Sequence, residues 1–165
     1  MTSYDHLLRA LNEAGVEFII IGGAAAVAHG ASRLTEDLDI VYRRTDENIH
    51  RLVQALAPYQ PYLRGAPPGL PFIWDERTVR RGLNFALMTS LGAIDLFGEV
   101  TGGGSYDDLL AHTVQLQIFG GVCLFVRLEK LIELKRAAGR PKDLETIAEL
   151  EMILEERGRV GERTL

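Results

Sequence analysis

One cysteine, Cys123, stands in a chain of 165 residues. A lone thiol excludes an intramolecular disulfide and a cysteine-rich zinc site. Its place in the apolar run Val122–Val126 marks it as a buried, inert side chain. No apolar stretch approaches the roughly 20 residues that a membrane-spanning helix needs. Positive charge is also scarce. The formal net charge is −5, whereas a broad nucleic-acid-binding face needs a local surplus of Lys and Arg. A small positive pocket remains compatible with that balance. Residues 1–15 set Asp5, Arg9 and Glu13 among apolar residues, which suits an amphipathic helix and not a secretory leader. The expectation is a cytoplasmic protein. Internal repeats and low-complexity tracts are missing, and the length suits one domain spanning 1–165.

What is present is a mixture of strand and helix signals. Ser3 and Gly15 bracket a helix with Leu7, Leu8, Leu11 and Ala14 on one face. Val16–Ile21 is a β-branched apolar run, read as a buried strand that ends at Gly22-Gly23. Ala24–His29 reads as a short helix stopped by Gly30, and Leu38–Tyr42 as a second strand. Thr45 caps a third helix with an apolar stripe of Ile49, Leu52, Val53 and Leu56. Residues 58–71 hold five of the six prolines and form a loop with a short edge strand at Tyr59–Leu63. Leu83–Thr89 and Ala93–Val100 read as strands joined by a turn at Ser90–Gly92. After the glycine-rich Thr101–Ser105 loop, Ser105 and Asp108 form a capping-box start for a helix through Ala111. A strand at Val122–Val126 precedes helices Leu128–Ala138 and Pro141–Arg157, separated by Gly139. The order predicts an α+β (α/β-like) fold, a small mixed β-sheet flanked by helices with a C-terminal helical pair. The apolar residues of the last helix, Leu144, Ile147, Leu150 and Leu154, suit packing on the same domain or on another subunit, so a homo-oligomer stays open.

Chemistry concentrates in Ile19–Val41. A strand running into two glycines and a helix lets backbone approach a ligand closely, although tight turns need glycine as well. Asp37 and Asp39 alternate with Leu38 and Ile40, so the acids share one strand face while the apolar pair turns to the core. Carboxylates that close repel unless a cation lies between them, and hard divalent cations prefer oxygen ligands. Asp95, in Gly92–Phe97, is an acid inside a strand-like apolar run and needs a partner or solvent there. On a neighbouring strand it would complete a set of three.

With these residues the chain resembles the nucleotidyltransferase superfamily related to DNA polymerase beta. The pattern is Ile21-Gly22-Gly23, thirteen residues, Asp37-Leu38-Asp39-Ile40, and Asp95 on a later strand. Arg33, Thr35 and the Arg140-x-Lys142-Asp143 stretch are similar to stand-alone bacterial proteins of abortive-infection and toxin–antitoxin type, and the likeness runs from about residue 16 to 155. It implies a nucleotidyltransferase fold that moves a nucleoside monophosphate from a triphosphate to a hydroxyl. Asp37, Asp39 and Asp95 would hold Mg²⁺ or Mn²⁺, with Asp95 nearer the acceptor. Gly22, Gly23, Arg33, Thr35 and Lys142 would hold the triphosphate. The acceptor would be RNA such as tRNA, a protein or a small molecule, with a toxin or antitoxin as partner. Gly23 stands where many members carry serine, which leaves open a binding or antitoxin-like module without turnover.

Other residues have plainer readings. Lys135 is a weaker triphosphate candidate, and His29 suits a helix end better than a general base. Arg77, Arg80 and Arg81 read as a solvated turn. Phe72 and Trp74 read as packing residues before nucleobase platforms.

Overall fold

The computed structural model of the chain describes residues 3–32, 37–118 and 121–163. Helix α1 (Tyr4–Glu13) buries Leu7, Leu8 and Leu11, as their spacing predicts. Ser3 precedes α1 without capping it, because its hydroxyl donates to Asp5 at 2.9 Å. Strand β1 (Phe18–Ile21) is buried throughout and runs directly into α2 (Gly22–Ala28), so that helix takes in both glycines. Strand β2 (Leu38–Tyr42) is followed by α3 (Asp46–Leu56), whose cap Thr45 accepts from the Asn48 amide at 3.2 Å.

The proline-rich segment contributes only two residues, β3 (Tyr62–Leu63), to the sheet. The strand is shorter than expected because Pro58 belongs to a 3-10 turn and Gln60 takes a left-handed φ of 54°. An unanticipated helix, α4 (Glu76–Arg81), begins at Asp75, which accepts from the Thr78 amide at 2.8 Å. The three arginines therefore lie on a helix and not in a turn. Strands β4 (Asn84–Thr89) and β5 (Gly92–Phe97) form a hairpin. β5 ends before Gly98, and β6 (Glu99–Val100) pairs instead with β7 (Gly104–Ser105) across the glycine-rich loop. The anticipated capping box opens α5 (Tyr106–Leu109), and a 3-10 turn carries the chain to His112. Strand β8 (Thr113–Ile118) was not anticipated either, although Thr-Val-Gln-Leu-Gln-Ile alternates as a one-sided strand does. It pairs with β9 (Gly121–Val126). Gly139, at a left-handed φ of 64°, closes α6 (Leu128–Ala138). Pro141 opens a separate 3-10 turn, Pro141–Asp143, ahead of α7 (Leu144–Arg163).

The main sheet has seven strands in the order β3-β4-β5-β2-β1-β9-β8. β2 lies parallel to β5 and antiparallel to β1, which is parallel to β9, so the sheet is mixed as expected. Helix α1 packs on α3, which meets α4, while α2 packs on α6 and α6 on α7. The fold is α+β, with the central mixed sheet flanked by helices. Leu150 is fully buried and Ile147 and Leu154 pack on the core, so α7 spends its apolar stripe within the domain, with Leu144 left exposed. Among the described residues no helix is long and apolar enough to cross a membrane.

The β1–β2 pair is fastened from the side by Asn48, which is only 2% exposed. Its amide nitrogen donates to the carbonyls of Glu17 at 2.9 Å and Arg43 at 2.8 Å, and its oxygen accepts from the Glu17 amide at 2.7 Å. Each such bond is worth about 1 kcal/mol net, and the abandoned backbone groups cost more when buried. Asn48→Ala is expected to lower unfolding free energy by about 3 kcal/mol in urea denaturation, with the slope unchanged.

Candidate active site

Strand pairing builds the site. Asp39 and Asp95 are direct neighbours across the parallel β2–β5 pair, and Ala86 of β4 is the partner of Asp95 on the other side. Both aspartates line a cleft of about 290 Å³ that α6 also lines. The residues that alternate with them, Leu38, Ile40, Ile94 and Leu96, are fully buried. This is the two-faced arrangement that their spacing predicts. Asp37 stands just before β2 with its side chain 44% exposed, and Tyr4 donates its hydroxyl to the Asp37 carbonyl at 3.2 Å.

Gly22 lies against the Asp39 carboxylate. Its φ is 67°, and a Cβ there would run into the Asp39 side chain. Glycine is required on both counts: a left-handed turn from β1 into α2, and room for a carboxylate against backbone. Gly23 follows within α2.

Two like charges on adjacent strands repel, and burial makes this worse. Burial is the main reason that the Asp39 carboxyl is pushed up to about 8; the charge of Asp95, a hydrogen bond with it and the charge of Asp37 add to the effect, while Lys135 opposes it. Asp95 has its own counter-ion in Arg64, which follows β3. Arg64 donates through Nη2 to Asp95, and its Nη1 lies 3.8 Å from Asp37. The sequence reading passes over Arg64 entirely.

Two cations, Lys135 and Arg140, and a further acid, Glu99, also line the cleft. Lys135 of α6 lines the cleft and is 8% exposed, with its ammonium 3.6 Å from the Asp143 carboxylate. Arg140, at the rim, also bonds Asp143, at 2.7 Å through Nε. Asp143 thus holds both cations in place. Lys142 is exposed on the 3-10 turn and is not among the cleft-lining residues; of the two lysines considered, Lys135 is the one beside the acids. Arg33 and Thr35 lie outside the described residues.

The remaining sequence candidates stay structural. His29 donates from Nε2 to the Val126 carbonyl at 2.8 Å, and Arg157 donates to the His29 carbonyl at 3.1 Å. Trp74 donates to the Val53 carbonyl at 3.0 Å, and Phe72 meets Tyr62 edge-on at 6.0 Å. Cys123 is fully buried, and burial pushes its thiol up.

As a set of ligands the three acids offer what a hard cation wants, oxygen only. The Asp39 carboxyl is raised first by its burial and then by the neighbouring acids. In the conformation described, the set is closed on Arg64, and among the described residues no group of three potential ligands converges on one point. The acids fit a hard cation in donor chemistry, and Arg64 is their counter-ion in this conformation.

No family model matches the chain, and no curated protein matches it. Solved structures do resemble it. A candidate nucleotidyltransferase from Thermotoga maritima superposes with a TM-score of 0.56 at 14% identity, covering 90% of this chain and 94% of that one. An antigenic nucleotidyltransferase-like protein from Paracoccidioides brasiliensis gives a TM-score of 0.54 at 16% identity, covering 93% of this chain and 78% of that one. At such identities the likeness establishes the fold: this chain has the nucleotidyltransferase fold over nearly its whole length.

The acid pair predicts a pH dependence of stability without metal. An unfolded aspartate ionises near 3.8, whereas Asp39 in the fold holds its proton to about 8. Between those values the folded state binds more protons than the unfolded one, so stability falls as pH rises. Thermal melts in EDTA are expected to drop progressively from pH 4 to pH 8 (about the two limits just given). Asp39→Asn is expected to flatten that slope.

Proposed function

We propose that the cleft binds a nucleoside triphosphate with divalent metal and transfers the nucleoside monophosphate to a hydroxyl of an RNA, protein or small-molecule acceptor. The observation that carries this reading is the pairing of Asp39 with Asp95 in a cleft that Lys135 and Arg140 also line. The acids suit cations and the two basic residues suit phosphate oxygens, which is the division that a metal–triphosphate complex requires. The fold and the sequence resemblance point the same way.

Asp37, Asp39 and Asp95 would hold Mg²⁺ or Mn²⁺. When bound, the metal neutralises charge on the phosphates and makes the acceptor hydroxyl more acidic. The chain's own residues do the rest. Lys135 and Arg140, steadied by Asp143, bind the triphosphate oxygens. Gly22 leaves the backbone open beside Asp39. The acceptor oxygen attacks the α-phosphorus, forming one P–O bond, while the bond to the β-phosphate's bridging oxygen breaks and pyrophosphate leaves with its electron pair. Asp95 takes the acceptor's proton. Catalysis of this kind asks mainly for positioning and charge neutralisation. A role within a bacterial toxin–antitoxin or abortive-infection pair, in the cytoplasm, belongs to the same proposal and rests on the sequence resemblance.

A second reading is favoured by one specific contact. Arg64 lies between Asp37 and Asp95, as it would in a module that keeps the fold and binds nucleotide without turnover. The two are separated by incubating the protein with each α-labelled triphosphate, Mg²⁺ or Mn²⁺, and tRNA, the protein itself or hydroxylated small molecules as acceptors. Label is expected to move to an acceptor with release of pyrophosphate. Asp39→Asn and Asp95→Asn are expected to cut the rate by about 10³-fold, and Lys135→Ala by about 10²-fold. Triphosphate binding without transfer to any acceptor would select the silent module instead.

A further inference from the structure

Arg64 reaches the acids by a route that the sheet lays down. Its amide donates to the Ala86 carbonyl at 2.9 Å, extending the β3–β4 register by one residue. Ala86 pairs with Asp95, and Asp95 with Asp39. Arg64, Ala86, Asp95 and Asp39 therefore form one lateral row across four strands, on the same face. Alanine between the charges presents only a methyl group, so the long arginine side chain can lie across it. The guanidinium meets Asp95 through Nη2, while Nη1 lies 3.8 Å from Asp37 and 3.5 Å from the Leu87 carbonyl.

A divalent ion ligated by Asp37 and Asp95 would need carboxylate oxygens that Arg64 now engages. A guanidinium presents only donors, and a carboxylate oxygen committed to it has less to give a metal. The side chain has somewhere else to go. It is 28% exposed, β3 is a two-residue edge strand, and the next residue, Gly65, has open space around it. We propose that Arg64 is a built-in cation that keeps the acidic site closed, and that divalent metal enters by exchange with it, Arg64 swinging off Asp95 and Asp37. This inference rests on the metal-site reading above. Apparent metal affinity is then the intrinsic affinity reduced by the small fraction of molecules with Arg64 already released.

The test is direct Mn²⁺ binding, by electron paramagnetic resonance and calorimetry, to the intact protein and to Arg64→Gln and Arg64→Lys at fixed pH and salt. Arg64→Gln is expected to bind Mn²⁺ about 10-fold more tightly, or better. Arg64→Lys keeps the charge but loses the two-pronged fork, so exchange predicts an affinity between the other two. A change caused by net charge alone would leave Arg64→Lys equal to the parent, and that result overturns the proposal. Adding Asp95→Asn to Arg64→Gln is expected to abolish the gain, which places the ion in this site. Equal or weaker binding by Arg64→Gln, in a parent that does bind Mn²⁺, defeats the exchange while leaving the metal site standing. If the parent and both variants all fail to bind Mn²⁺, the metal reading falls and the exchange falls with it. Arg64→Lys serves as the deciding variant if Arg64→Gln does not fold.

Discussion

Burial of Asp39 beside a second acid, Asp95, is the constraint around which the site is arranged. The parallel β2–β5 register sets the two side by side, and the surrounding sheet denies them full hydration. Negative charge in that position has to be answered. A proton retained on Asp39 answers part of it, Arg64 answers Asp95, and Lys135, which lines the same cleft, opposes the shift at Asp39. Lys135 is itself nearly buried and is steadied by Asp143, which Arg140 also holds. A row of charged groups therefore runs from the sheet edge at Arg64 through the acid pair to the end of α6. Removing any one member leaves its neighbour unpaired in a place where charge is expensive.

This arrangement also shows how a protein with net charge −5 can set two cations along one cleft. The cations are few and fixed, aimed into a cleft by helix α6 and the turn after it. Local order, and not overall composition, puts them there. The overall charge speaks only against an extended nucleic-acid track.

Much of the frame was legible in the chain. Alternation alone placed Leu38 and Ile40 in the core and the acids together on the other face, whereas Gly22, which the sequence marks as a close approach of backbone to a ligand, has the Asp39 carboxylate against it. Two elements were legible and passed over: β8, with its alternating Val, Leu and Ile, and α4, with Asp75 as cap. Arg64 is a different matter. Its reach depends on which residue of β4 lies beside it and which residue of β5 lies beyond, and neither pairing is written in local sequence. The exchange of Lys142 for Lys135 as the cleft cation has the same origin. Pro141 takes a 3-10 turn in place of the helix start, and the direction of a side chain on that turn follows from tertiary packing.

The sheet order gives the site two mechanically different halves. β5 and β2 are interior strands, each paired on both sides, and they carry Asp95 and Asp39. Their backbone amides belong to the part of a fold that opens only with global unfolding. β3 is two residues long and paired on one side, and Arg64 hangs from its end. Such an edge frays at little cost while the rest of the sheet stays intact. The anchor points of the site thus belong to the most firmly held strands, whereas its counter-ion is mounted on the short edge, where separation from the sheet breaks the fewest backbone bonds.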